Sequence, residues 1–239
     1  VKPSGQDTAP LVGILGGMGP AATADIYAKL VAATPATTDQ EHLRVVIWAD
    51  PTVPARCVSL TDEGEDPTEK LIQGAQKLAD AGADFYVMAC NAAHAFLPEI
   101  RAQVDLDCIS IVDVTTDHVR SLPYVQRVGL LATDATLAAD LYQAGLRRIG
   151  VEPLLPSGED QLTVMQVIYA VKSGQVTAEQ RRALADVVGR LSAAGADVII
   201  GGCTEIPLVL GDADLPSPMI DPAIQLVNRV IVEATSRSE

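Results

Sequence analysis

Basic residues are scarce in this chain of 239 residues: 17 Lys and Arg stand against 31 Asp and Glu, a net charge of −14. A nucleic-acid protein needs a basic stripe to neutralise phosphates, and none is present. Cysteines number four, too few for a disulfide scaffold at this length. Histidines number three, and His42, His94 and His118 show no zinc-ligand spacing with cysteine. No apolar run is long enough to cross a membrane, and no leader-like segment follows the N-terminal VKPSGQDTAP. A reducing, cytoplasmic setting is therefore expected, with the opening Val read as a missing or processed start. What is present is a globular composition, 48% apolar and 20% charged, long enough for one large domain or two small ones.

Strand-like and helix-like segments alternate. Leu11–Leu15, Leu43–Trp48, Asp84–Ala89, Cys108–Val112, Arg127–Leu131, Val151–Leu155 and Val198–Ile200 read as strands. Helical spacing covers Pro20–Ala33, Pro67–Ala81, a segment from about Asn91, one ending at Arg120, Asp160–Lys172, Ala178–Ala194 and Ala223–Ala234. This alternation implies parallel sheets with helices on both faces, an α/β fold. Strands that are apolar throughout agree with sheets covered on both sides.

The chain also repeats itself. Leu78-Ala-Asp-Ala-Gly-Ala-Asp-Phe-Tyr-Val-Met-Ala-Cys90 matches Leu191-Ser-Ala-Ala-Gly-Ala-Asp-Val-Ile-Ile-Gly-Gly-Cys203. Val12-Gly-Ile-Leu15 similarly matches Val128-Gly-Leu-Leu131, each followed by small residues and a Thr, here Thr23 and Thr133. Two similar halves follow: residues 1–117 with the C-terminal helix 222–239, and residues 118–221. Ligands of open α/β sheets bind beyond the carboxyl ends of the strands. Cys90 and Cys203 each end a strand, so facing halves would put them on opposite walls of one cleft.

A thiolate is a competent base and a thiol a competent acid near neutral pH. A pair on opposite walls suits removal of a proton from one face of a carbon and its return on the other. Cys57 and Cys108 have no such partnership and read as structural.

Gly16-Gly-Met-Gly-Pro-Ala-Ala-Thr23, Ala89-Cys-Asn-Ala-Ala-His94 and Gly202-Cys-Thr-Glu-Ile-Pro207 together resemble the three motifs of the aspartate/glutamate racemase family, in order and spacing. The resemblance spans nearly the whole chain. It implies two pseudo-symmetric Rossmann-like or flavodoxin-like domains, a racemase that needs neither pyridoxal nor metal, a small amino-acid substrate, and a homodimer. It assigns catalysis to Cys90 and Cys203. It places Met18, Gly19, Asn91, Ala92, Thr133 and Thr204 beside the substrate. Val53-Pro-Ala-Arg56 resembles the segment whose Arg clamps a distal carboxylate, and Ile168-Tyr-Ala-Val-Lys172 a helix whose Lys reaches the same ligand. Arg suits that role because its fork matches a carboxylate.

Three positions depart from the family pattern. Ala92 stands where a Thr is usual, Ala55 where an Asp precedes the clamp Arg, and Asp50 where Asn is common. These imply altered or broad specificity between aspartate, glutamate and other amino acids, with Asp50 a candidate determinant. A cis–trans isomerase of a dicarboxylate such as maleate and a non-catalytic binding protein are the alternative readings. Gly17–Ala22 also satisfies a G-x-G-x-x-A dinucleotide fingerprint with Asp50 as ribose acid, but that ignores both cysteines. His94, one helical turn after Cys90, either tunes the thiol or is a core histidine. Glu205 reads as ordering the loop rather than transferring a proton. Asp113 and Asp117 read as a helix start and its solvent face.

Overall fold

Short apolar runs bounded by turn residues form two parallel four-stranded sheets in the computed structural model, which describes residues 9–56, 64–211 and 215–238. The first sheet holds β1 (Leu11–Gly16), β2 (Arg44–Ala49), β3 (Phe85–Met88) and β4 (Cys108–Ile109), in the order β2-β1-β3-β4. The second holds β5 (Arg127–Leu131), β6 (Glu152–Leu154), β7 (Val198–Gly201) and β8 (Met219–Ile220), in the order β6-β5-β7-β8. The second order is the first with every strand advanced by four, so the sequence repeat is a structural repeat. Helices fill the connections: α1 (Pro20–Ala33), α2 (Thr68–Asp80), α3 (Leu97–Arg101), α4 (Ile111–Arg120), α5 (Asp134–Ala138), α6 (Leu141–Arg148), α7 (Gly158–Lys172), α8 (Ala178–Ala193) and α9 (Pro222–Ser238). Among the described residues, no helix is long and apolar enough to cross a membrane.

The strands' two-residue period divides the core into three layers. Val12, Ile14, Phe85 and Val87 of the first sheet and Val128, Leu130, Val198 and Ile200 of the second belong to one apolar cluster. That cluster also takes in Ile111 and Val119 of α4 and Leu226 and Val230 of α9. The opposite faces are covered separately. Leu15, Tyr86, Met88 and Cys90 pack with α2 and α3, and Leu131, Ile199 and Cys203 pack with α7 and α8. Both cysteines thus point away from the shared layer, at equivalent places in their halves.

The repeat extends to one close approach. Gly13 and Gly129 lie beside Tyr86 and Ile199 in the strand registers. A Cβ at Gly13 would come within 2.9 Å of the Tyr86 Cβ, and one at Gly129 within 2.5 Å of the Ile199 Cδ1. In both halves the first strand gives up a side chain so that its neighbour's can lie over it.

Several boundaries differ from the pattern-based reading. The Cys108–Val112 strand shrinks to Cys108–Ile109 because Ser110 caps α4: its Oγ accepts the Asp113 N–H at 3.1 Å. The helix placed near Asn91 is a 3₁₀ turn over Ala92–Phe96 followed by α3, whose Pro98 suits a first helical turn. Helices α5 and α6 and the two-residue β8 have no counterpart in that reading. Asp140, in the left-handed conformation at φ 52°, breaks the period between α5 and α6.

His94 ties the end of β3 to the start of α4. Its Nε2 accepts the Ile111 N–H at 3.2 Å, which leaves Nδ1 to donate to the Cys90 carbonyl at 2.9 Å. This neutral form is enforced by complete burial, which lowers the pKa to about 4 against the favourable backbone carbonyls of Cys90 and Asn91. His94 is therefore a core histidine that positions the Cys90 backbone. The unfolded chain takes up the proton near pH 6.5 and the folded one only near 4. The stability this group confers is complete above pH 6.5 and is lost as pH falls toward 4. The loss over that interval should be about 3 kcal/mol. Urea titrations across that range should show this slope in the native protein and a shallower one in His94→Gln; parallel slopes would exclude it.

Candidate active site

The Gly16–Gly19 turn and Arg56 make one wall. Gly17 has φ 91°, and a Cβ there would sit 2.4 Å from the Asp50 backbone, so the turn requires glycine. The Thr23 hydroxyl accepts the Gly17 N–H and donates to the Gly19 carbonyl, both at 2.9 Å, pinning the turn to the start of α1. The Met18 carbonyl then faces inward and accepts from Arg56 Nη2 at 3.0 Å. Arg56 Nη1 donates to the carbonyls of Val53 and Pro54 at 3.2 and 2.9 Å. Backbone oxygens thus hold a buried guanidinium at the cleft.

The carboxyl ends of β3 and β7 complete it. Cys90, Asn91 and Ala92 follow β3, and Gly202, Cys203, Thr204 and Glu205 follow β7; all line one cavity with Met18, Arg56, Thr133 and Lys172. Thr133 caps α5, its Oγ1 accepting the Thr136 N–H at 3.2 Å. Asn91 is buried, and among the described residues its Nδ2 has no hydrogen-bond partner, so one donor remains for a ligand. A second cavity adjoins the first and shares Met18, Ala55, Arg56, Lys172 and Glu205 with it. Gly19, Pro20, Val53 and Val171 give it a mainly apolar lining.

Charge in the cleft is organised around Glu205. Its Oε2 accepts from the Cys203 thiol at 2.9 Å and from the Thr204 hydroxyl at 3.2 Å. Burial pushes the Cys203 thiol well above its ordinary pKa; the Glu205 charge raises it further, and Lys172 opposes both. Cys203 therefore holds its proton at neutral pH in the ligand-free protein. Lys172 stands at the rim, open to solvent on one side. Burial pulls its pKa down, but Glu205, Cys203 and Cys90 outweigh that and Arg56, so it is raised and the ammonium stays charged.

Of the residues singled out in the sequence, the structure brings Cys90, Cys203, Met18, Arg56, Asn91, Ala92, Thr133, Lys172 and Thr204 to the inner cavity and Gly19 to the outer one. Asp50 is not brought to either. Its Oδ1 accepts the backbone N–H and hydroxyl of Thr52 at 2.8 and 2.7 Å, which holds its pKa low and fixes it as a turn residue. Cys108 is buried, and burial pushes its thiol up to about 12, as suits an inert core residue. Cys57 lies outside the described residues. Asp113 occupies the first turn of α4, and Asp117 pairs with Arg120 on its exposed side. Thr136 and Tyr169 also line the cavity; Thr136 belongs to no motif, and Tyr169 stands within the Ile168–Lys172 segment, of which only the Lys was singled out. Glu205 lay within a motif, but only the fold reveals its contact with sulfur.

Known proteins supply an independent comparison. The Asp/Glu/Hydantoin racemase family profile matches residues 15–230. The broad specificity amino-acid racemase RacX of Bacillus subtilis (strain 168) is 28% identical over 226 residues, covering 92% of this chain and 96% of that one. The structure of the Picrophilus torridus aspartate racemase superposes with a TM-score of 0.85 at 31% identity, covering 95% of this chain and 94% of that one. The Francisella tularensis glutamate racemase, solved with D-glutamate, shares the fold at 16% identity, with a TM-score of 0.69 over 96% of this chain and 82% of that one. The match over most of its length and the pair of repeated sheets make this chain a member of the Asp/Glu/Hydantoin racemase family, and so an isomerase of the racemase class.

Proposed function

We propose that this protein racemises a free amino acid by passing the α-proton between Cys90 and Cys203, without a cofactor. The observation that carries this reading is the placement of both cysteines, from equivalent positions of the two halves, on one buried cavity. One thiolate takes the proton from Cα, and the other thiol gives its proton to the opposite face. The sulfurs end with their protonation states exchanged, so the mirror-image substrate enters a site already set for the reverse step. Glu205 favours the protonated Cys203, making it the acid in the resting state, while Lys172 favours its thiolate. The Asn91 Nδ2 and the Thr204 hydroxyl are the groups for the α-carboxylate.

Arg56 and Lys172 give the cavity a cationic side, which supports aspartate or glutamate as substrate. Ala55 and Ala92, the adjoining apolar cavity and the likeness to RacX support a wider range of side chains. The specificity proposal does not rest on Asp50, whose carboxylate is engaged in its own turn. The dicarboxylate isomerase and the binding protein are not favoured, since the matched relatives are racemases.

In D₂O, with single amino acids and no added cofactor, the α-proton NMR signal should disappear while the opposite enantiomer accumulates. Cys90→Ser and Cys203→Ser should each lower racemisation by about 10²–10⁴-fold, the usual value of a general acid or base. Undiminished rates in both variants, or turnover of maleate alone, would overturn the proposal.

The electrostatics generate a second expectation. Glu205→Gln removes the charge that raises the Cys203 pKa, so the thiol should ionise at lower pH. Thiolate ultraviolet absorbance, followed against pH in a Cys90→Ala background, should shift toward acid; an unchanged or alkaline-shifted curve would refute the role given to Glu205.

A further inference from the structure

Tyr142, the second residue of α6, belongs to no motif and lines neither cavity, yet it is completely buried between the two cysteine loops. Its hydroxyl donates to Asn91 Oδ1, on the residue directly after Cys90. Its ring lies against Gly202, directly before Cys203: a Cβ there would meet the ring Cε2 at 3.1 Å and Cδ2 at 3.4 Å. One side chain therefore meets the neighbours of both cysteines. Its position follows from the left-handed Asp140, which turns the chain between α5 and α6.

A carboxamide can present either its oxygen or its NH₂ to a ligand, and the two differ by a half-turn of the side chain. In the structure the phenol donates to the oxygen, and that bond sets the choice. With Oδ1 accepting from Tyr142, the NH₂ is the group left over, and Asn91 Nδ2 is indeed buried and unpartnered among the described residues. A buried donor without a partner is costly, and an anionic acceptor relieves the cost. A carboxylate matches it; a carbonyl oxygen turned to the same place would repel a carboxylate.

We propose that Tyr142 is a positioning residue that locks the Asn91 carboxamide with its NH₂ toward the substrate α-carboxylate, and that it sets the Cys90 and Cys203 loops against a common ring. This rests on the racemase reading. Tyr142 touches no reacting atom and acts through Asn91.

The test compares KM and kcat for racemisation in wild type, Tyr142→Phe, Asn91→Asp, Asn91→Ala and the Tyr142→Phe/Asn91→Ala double variant, with thermal melts beside each. Tyr142→Phe keeps the ring and loses the lock, so KM should rise about 10-fold, one hydrogen bond's worth, with a smaller change in kcat. Asn91→Asp still accepts from Tyr142 but presents no donor, and its KM should rise further. This variant carries the test even where Tyr142→Phe fails to fold. In the double variant KM should equal that of Asn91→Ala, because the phenol then has nothing to orient. Unchanged KM in Tyr142→Phe or Asn91→Asp, or additive effects in the double variant, would overturn the lock while wild-type racemisation stands. Wild-type protein that exchanges no α-proton would instead overturn the racemase reading, and with it a lock serving that reaction.

Discussion

The inner faces of the two sheets close on a single apolar layer, with Ile111 and Val119 of α4 and Leu226 and Val230 of α9 in the same cluster as Phe85 and Val198. Everything at the cleft depends on this shared layer. Fully burying one large aliphatic side chain is worth about 1.5–3 kcal/mol, and tens of residues contribute here. Because both sheets are anchored to one layer, the carboxyl ends of β3 and β7 cannot drift independently. The two cysteines project from the opposite faces of their sheets, into separate outer layers, and meet only beyond the strand ends.

The chain is strongly acidic, yet its cleft concentrates cations. Arg56 donates to three backbone carbonyls, those of Met18, Val53 and Pro54. Burying a charge costs several kcal/mol unless polar partners replace water, and oriented carbonyls are such partners. The Glu205 carboxylate is sheltered among the Cys203 thiol, the Thr204 hydroxyl and the Lys172 charge, and it raises the pKa of both the thiol and the ammonium. One cavity thus combines the Arg56 and Lys172 cations with a carboxylate that keeps the Cys203 thiol protonated.

How far the sequence disclosed this arrangement depended on the range of each signal. The continuous apolar runs around Phe85 and Val198 and the matching Ala-Gly-Ala-Asp segments are local, and they revealed the strands, the halves and the cysteine pair. Helices α5 and α6 stayed hidden because Asp140 interrupts their period with a conformation that no short-range rule assigns to aspartate there. Asp50 stands out in the sequence because it replaces an Asn common in the family pattern; its capture by Thr52, two residues on, is a turn preference that competes with a role toward substrate. His94 could not be resolved between two roles, since its partners are the backbone of Cys90 and of Ile111, 17 residues away. Tyr142 gave no sequence signal at all, its partner Asn91 being 51 residues distant.

The shared layer also bears on how such a chain could have arisen. If the repeat records a duplication, the shared face of each ancestral half bore helices of its own, as α1 now packs beside Phe85 and α6 beside Val198. The far side of those helices would have been an apolar surface exposed to water, unless a second copy closed over it. On that account the fusion of two halves converted an association between chains into a connection within one. It also freed the copies to diverge, so that among the described residues Cys203 now has a glutamate hydrogen-bonded to its sulfur and Cys90 has not.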